Sequence, residues 1–315
     1  MNSSKEAEMI ALLSRIFGAT AKDLPVGIGD DGAVLPRPDS ELVAAADMAV
    51  EGVHFKREWS TPREIGAKLT AANLADIYAM GAQPTYLLVS ASLPSDFGIA
   101  ELELLALGIA DEANRVGALV VGGDLSSGSI LTISITALGE FAEGASAIRR
   151  SGAQVGDNII VSGLPGRSAA GLAALNVGLT HVGTDFISHH KQPVVDYSSA
   201  QKLAELPVHS MIDISDGLLS EASHIARASG VAMSIDSQLL AAAPEFPALA
   251  AVAKELGIDI WDWILTGGED HLFLATTPLA PAAGALVIGT VQAGSGVNVH
   301  GVSLRSNFGY SHFTS

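Results

Sequence analysis

Aspartates recur in this chain wherever an apolar run gives out, and their placement constrains the fold more than any other feature. Asp30-Asp31-Gly32, Asp47, Asp76, Asp124 and the Asp213-Ile-Ser-Asp216-Gly217 segment each stand at a break, after runs such as Leu42–Ala46 and Met211-Ile212. A solvated acid ordinarily decorates a helix face. Carboxylates gathered at strand ends repel one another unless cations neutralise them, and hard cations such as Mg2+ choose oxygen ligands. The spacing predicts strands joined to helices through acidic turns, with several divalent ions handling polyphosphate at the strand ends.

The elements between these breaks are readable. Ser3 and Glu6 have capping-box spacing ahead of a helix whose Ile10, Leu13 and Phe17 share a face and which stops at Gly18. Thr61-Pro62-Arg63-Glu64 repeats the device before a second helix running toward Gly81. Strand-like runs occupy 42–48, 85–93, 118–122 and 130–138. Ile130–Thr136 alternates with period two, which suits an antiparallel strand with one buried face. Read as an edge, that face calls for a partner, so a homodimer built on the N-terminal half is expected.

Near 140–157 the periodicity is lost in Gly, Ser and Arg. The domain boundary is placed there, giving residues 1–148 and 149–315. The second half offers a strand at 158–162, helices after Gly166 and around 196–205, and a strand at 211–214 leading into a helix from about 217. Strands at 231–235 and 271–276 and a short Gly-rich stretch follow. Strands and helices alternate in both halves, so the class is α/β or α+β.

Composition narrows the chemistry. A length of 315 residues accommodates two domains, and 48% apolar against 16% charged residues implies packed cores throughout. A net charge of −17 argues against a grip on nucleic acid or an anionic membrane, both of which need basic patches. The absence of cysteine excludes disulfides, thiolate zinc sites and cysteine nucleophiles. Neither a secretory signal pattern nor an uninterrupted apolar span is present, so the reading is of a soluble, cytoplasmic protein.

Gly27-Ile28-Gly29-Asp30-Asp31-Gly32 is not a dinucleotide fingerprint, because Ala33-Val34-Leu35-Pro36 runs on into a Pro-containing turn. It is either an ordinary Asp-Gly turn or a carboxylate pair held by a cation. Val121-Gly122-Gly123-Asp124 is either a bulged strand end or a place where an anion approaches the backbone beside a bridging Mg2+. Ile212–Gly217 delivers two carboxylates and a hydroxyl to a strand-to-helix turn, where helix amides favour phosphate. Capping alone would explain Asp216 but not Asp213. Arg149-Arg150 is a solvated linker or a phosphate contact. Gly267-Gly268-Glu269-Asp270 is a second acidic turn, and His54 by itself is more simply a packed or surface histidine.

Together these segments resemble the thiamine-monophosphate kinase family. The matching stretches are Gly-Ile-Gly-Asp-Asp at 27–31, Ala-Asp-Met-Ala-Val-Glu-Gly-Val-His-Phe at 46–55 and Asn-Leu-Ala-Asp-Ile-Tyr-Ala-Met-Gly-Ala at 73–82. Gly-Gly-Asp at 122–124, Arg-Ser-Gly-Ala at 150–153, Ile-Asp-Ile-Ser-Asp-Gly at 212–217, Thr-Gly-Gly-Glu-Asp at 266–270 and Gly-Tyr-Ser-His-Phe at 309–313 complete a colinear set. The resemblance implies a two-domain fold like that of aminoimidazole ribonucleotide synthetase, with N-terminal domains paired into a β-barrel across a homodimer. It implies several Mg2+ ions on Asp31, Asp47, Asp76, Asp124, Asp213 and Asp216. It implies ATP contacts from Gly123, Asp124, Arg150 and Ser215, and thiamine monophosphate contacts from His54, Glu269 and Tyr310.

Two positions depart from the family pattern. Hydroxyl residues usually precede the second-motif aspartate, whereas Ala45 and Ala46 precede Asp47, so any metal ligand there comes from backbone carbonyls or water. His271 stands where the family has Tyr. The expected activity is ATP-dependent phosphorylation of thiamine monophosphate. The alternatives are another ATP-dependent synthetase of the superfamily, or a non-catalytic nucleotide- or metal-binding relative. Superfamily members that rely on a reactive cysteine are disfavoured by its absence.

Overall fold

The computed structural model describes residues 3–19, 24, 33, 35–36, 41–179, 181, 183–279 and 285–302. The chain divides into two compact units between Ala145 and Ser146, with Tyr78–Gly81 grouped with the second.

The first unit runs α1 (Ser3–Phe17), β1 (Leu42–Val50), α2 (Pro62–Ala79), β2 (Gln83–Leu93), α3 (Ile99–Asn114), β3 (Leu119–Ser127) and β4 (Thr132–Glu140). Its four strands lie in the order β1-β4-β2-β3. The capping box expected at Thr61 forms: Thr61 N–H donates to Glu64 Oε2 at 2.6 Å, and Glu64 N–H donates to Thr61 Oγ1 at 3.3 Å. Two otherwise orphaned donors of α2 are thereby satisfied. In α1 the buried stripe is Met9, Leu12 and Phe17, while Ile10 is 48% exposed. The expected Ile10-Leu13-Phe17 face is thus displaced by about one residue, because α1 turns toward α3 and joins it through Arg15–Glu103 at 3.0 Å.

The clean alternation at 130–136 does belong to an antiparallel strand, and Ile133, Ile135 and Ala137 are buried. Its place in the sheet corrects the sequence reading. β4 is flanked by β1 and β2, both antiparallel to it, so it is an interior strand and its pattern gives no ground for an edge that needs a partner. The edges are β1 and β3. On the face opposite Ile133 and Ile135, β1 and β2 expose Leu42, Met48 and Leu88.

The second unit runs β5 (Asn158–Val161), α4 (Arg167–Asn176), α5 (Thr184–Lys191), α6 (Tyr197–Ala204), β6 (Ser210–Ile214), α7 (Leu218–Ser229), β7 (Ala232–Asp236), α8 (Ser237–Ala241), α9 (Phe246–Leu256), α10 (Ile260–Thr266), β8 (Leu272–Thr277), β9 (Leu286–Gln292) and β10 (Gly296–His300). Six strands order as β10-β7-β9-β5-β8-β6. Only the β10–β7 pair is parallel. Helices α7, α9 and α10 contribute Leu218, Ile225, Leu249, Val252, Trp263 and Ile264 to one core cluster with Ile159, Ile212, Ile214 and Leu274 of the sheet. No described helix is long and apolar enough to cross a membrane.

Candidate functional site

The aspartates do not all terminate strands. Asp47 sits inside β1, Asp76 inside α2 and Asp124 inside β3, and of the described members of this set only Asp213 and Asp216 bracket the end of a strand. The element that carries each of the first three continues past it, β1 to Val50, α2 to Ala79 and β3 to Ser127.

In the first unit, strand register locates the acids. Asp47 pairs with Ile135, and Ile135 pairs with Val89, so Asp47 shares the face that carries the buried isoleucines of β4. Its N–H donates to Asn73 Oδ1 at 3.1 Å and its carbonyl accepts from Ser134 Oγ at 3.0 Å. Asn73 is fully buried on α2 and also donates from Nδ2 to Leu69 O at 2.9 Å. Asp76 lies three residues further along α2, on the same side of the helix. Asn73 therefore brings the turn carrying Asp76 to Asp47.

Asp124 lies elsewhere on the sheet. It pairs with Ser90, which pairs with Ser134, which pairs with Met48, so it projects from the opposite face. Its strand is the far edge, about 14 Å from β1 at ordinary strand spacing. Beside it Gly123 has φ +155°, and a Cβ there would overlap the Val89 carbonyl. Only glycine lets β3 lie this close to β2. Ala45 and Ala46 pair with Ala137 and Thr136 and bring no side-chain ligand. His54 closes the turn after β1, its Nδ1 accepting from Val50 N–H at 3.0 Å, which leaves the proton of a neutral ring on Nε2.

In the second unit the two acidic turns are laced together. Glu269 N–H donates to Ser215 O at 2.7 Å and His271 N–H donates to Ile214 O at 3.0 Å. A Cβ on Gly268 would collide with that same Ser215 carbonyl, so glycine is what permits the approach. Glu269 and His271 both have positive φ, 63° and 50°, a conformation costing about 1–2 kcal/mol per non-glycine residue. His271, the departure from the family pattern, is buried with Nδ1 3.4 Å from Asp213 Oδ2.

Carboxylates crowd the start of α7. Glu221 is 3% exposed, and burial together with the neighbouring Asp213 charge pushes its pKa up to about 8. Asp216 adds to the repulsion, whereas the Asp216 N–H, 3.3 Å from Glu221 Oε1, and the Arg150 guanidinium oppose it. Arg150 also reaches His224, whose pKa is lowered by burial first and then by Arg150 and Arg227. The backbone that presents Arg150 is anchored twice. Arg149 O accepts from Met211 N–H at 3.0 Å, and Ser229 Oγ accepts from Gly152 and Ala153 N–H at 3.1 and 3.2 Å.

Arg150, Asp213, Ser215, Asp216 and Glu269 thus belong to one corner of the second unit. Asp47 and Asp76 are drawn together in the first, with Asp124 apart from them. Asp31 and Tyr310 lie outside the described residues. Among the described residues no three acidic or histidine side chains converge as metal ligands. Sequence reasoning missed Asn73 and Glu221. Their signals were the Asn three residues before Asp76 and an acid in the first turn of α7.

Comparison with known proteins places both halves of the chain in one family. Residues 29–141 match the family model of the AIR synthase related protein N-terminal domain, and residues 154–301 match that of its C-terminal domain. The thiamine-monophosphate kinase of Mycobacterium tuberculosis is 40% identical over 85% of this chain and 80% of its own length. That of Escherichia coli is 36% identical over 85% and 82%. Among solved structures, AaThiL complexed with AMPPCP and TMP superposes with a TM-score of 0.80 at 30% identity, covering 99% of this chain and 98% of that one. The Stenotrophomonas maltophilia thiamine-monophosphate kinase gives 0.80 at 31% identity over 92% and 96%. With its mixed α/β architecture, its two matched domains and this level of identity, the chain belongs to the thiamine-monophosphate kinase family.

Proposed function

We propose that the chain transfers the γ-phosphoryl group of ATP to thiamine monophosphate, releasing thiamine diphosphate and ADP. The observation that carries this reading is the backbone lacing of Ile214–Ser215 to Glu269–His271. It sets the residue assigned to the nucleotide, Ser215, against the one assigned to thiamine monophosphate, Glu269. A family relative complexed with AMPPCP and TMP supports the same pairing of substrates.

The chemistry suits these residues. A terminal phosphate oxygen of thiamine monophosphate attacks the γ-phosphorus, and the bond from that phosphorus to the β,γ-bridging oxygen breaks. The nucleophile is already an oxyanion, so no strong general base is required. Arg150 holds ATP phosphates through its guanidinium fork, with Gly123, Asp124 and Ser215 completing the nucleotide contacts. His54, Glu269 and Tyr310 hold thiamine monophosphate, the anionic Glu269 suiting the cationic thiazolium ring.

The donor set fits Mg2+. It is all oxygen, and at α7 burial first and then the neighbouring Asp213 and Asp216 charges raise the pKa of Glu221, a repulsion between carboxylates that a cation would relieve. Asp31, Asp47, Asp76, Asp124, Asp213 and Asp216 would hold several such ions between them, with backbone oxygens of Ala45 and Ala46 as further donors. When bound, Mg2+ supplies charge neutralisation between two polyanions.

In this reading residues 1–148 bind ATP and Mg2+ and dimerise, while 149–315 complete the site in a cytoplasmic homodimer. The exposed Leu42, Met48 and Leu88 support a partner on the open face of the first sheet. The test is ADP release with ATP and Mg2+ and, in turn, thiamine monophosphate, thiamine and a purine-precursor ribonucleotide. Turnover with thiamine monophosphate alone is expected. Preference for either other acceptor overturns the assignment.

A further inference from the structure

Asp270 has no role in the chemistry above, yet it is 2% exposed and its carboxylate accepts two backbone hydrogen bonds. Its Oδ2 accepts from Gly166 N–H at 2.5 Å and its Oδ1 from Ser168 N–H at 2.8 Å. These are orphan donors at the start of α4, where the N-cap is Gly166 and no local side chain caps the helix. A carboxylate more than a hundred residues away therefore does the capping, favoured by the positive end of the helix dipole. His189 Nε2 is also buried, 3.4 Å from Asp270 Oδ1 and without a hydrogen-bond partner among the described residues.

The same turn of α4 reaches Glu269 by a second route. Ser168 Oγ is 2.9 Å from His190 Nδ1, and that nitrogen is 3.7 Å from Glu269 Oε2. Adjacent residues of one loop are thus tied to one serine, Asp270 through its backbone N–H and Glu269 through its hydroxyl and His190. Between these ties Glu269 is held at φ 63° and His271 at φ 50°. Such conformations persist only where the surroundings over-determine them.

We propose that Asp270 is a positioning residue. By capping α4 it holds the 269–271 loop in its left-handed course and aims the Glu269 carboxylate at the substrate's cationic ring. The inference rests on the proposed contact between Glu269 and thiamine monophosphate. That ring is remote from the transferring phosphoryl group, so misaiming the carboxylate weakens substrate binding in the ground and transition states alike.

The experiment compares steady-state kinetics of the wild type, Glu269→Gln, Asp270→Asn and Asp270→Glu. In Asp270→Asn the KM for thiamine monophosphate is expected to rise by about tenfold, with kcat and the KM for ATP little changed. Asp270→Glu, which restores the charge, recovers part of that loss. Ser168→Ala keeps both backbone donors and removes only the hydroxyl link to His190; it should give the same split at smaller size, and it serves as the test where Asp270→Asn does not fold.

Glu269→Gln separates the two levels. If it leaves the KM for thiamine monophosphate unchanged, the assignment of Glu269 fails and the role of Asp270 falls with it. If it raises that KM while folded Asp270→Asn does not, only the positioning role is overturned. A parallel deterioration of kcat and both KM values in Asp270→Asn overturns it too, since that marks a merely structural residue.

Discussion

Replacing Glu221 with Gln should change how stability depends on pH, because the carboxyl of Glu221 is buried beside Asp213 and Asp216. Its pKa in the folded protein lies near 8, against an ordinary value of 4.5. A carboxyl whose folded-state pKa is raised contributes stability that is whole below the unfolded value and is lost as pH climbs toward the folded one. Each pH unit inside that window costs the folded state about 1.4 kcal/mol, so crossing all of it costs on the order of 5 kcal/mol. Glutamine keeps the shape and an oxygen for the Asp216 N–H but cannot ionise. Denaturant unfolding in EDTA, followed through the fluorescence of Trp261 and Trp263 in the same unit, should show the wild type losing stability relative to Glu221→Gln between pH 5 and pH 8. The two should then run parallel above the window. Added Mg2+ should flatten the wild-type slope by offsetting the neighbouring carboxylates. Profiles that are parallel throughout would refute the claim that the Glu221 carboxyl is buried beside other carboxylates.

Asp47→Asn and Asp124→Asn should each abolish turnover while leaving circular dichroism unchanged, since losing a charged ligand removes on the order of several kcal/mol of transition-state stabilisation. Near-normal kcat with unaltered Mg2+ dependence in either variant would remove that residue from the metal site. Asn73→Ala removes the acceptor of the Asp47 N–H and should cost about 1 kcal/mol in thermal or denaturant unfolding; an unchanged midpoint would show the bond to be dispensable. Light scattering at low micromolar concentration should give the mass of two chains, and Met48→Asp, on the open face of the first sheet, should shift it toward one. A single-chain mass with full activity would rule the dimer out.

Local chemistry was legible in the sequence and long-range order was not. The Thr61–Glu64 box could be read because its partners are three residues apart. The alternation of 130–136 revealed a strand with one buried face, but whether it sat at an edge depended on β1 and β2, which pair with it from far away in the chain. The stripe of α1 went astray by a residue because Ile10 and Met9 fit a helical period equally well until α3 decides between them. Helix α5 was overlooked. Its His189 and His190 look like surface residues, and they are buried because α5 packs against α4 and faces Asp270, Ser168 and Glu269 from elsewhere in the chain. β9 and β10 read as a Gly-rich tail, since their pairing with β5 and β7 is non-local. In the site, the order of motifs announced the acids and glycines. The placement of Asp47 and Asp124 on opposite faces required the register.

Following the terminal phosphate tests the central claim most directly. ATP labelled at the γ-phosphoryl group is incubated with thiamine monophosphate, Mg2+ and the protein, and the products are separated and counted. The expected result is label in the terminal phosphate of thiamine diphosphate, with one ADP formed for each thiamine diphosphate. Label released only as inorganic phosphate, or transferred to free thiamine in preference to its monophosphate, would contradict the account.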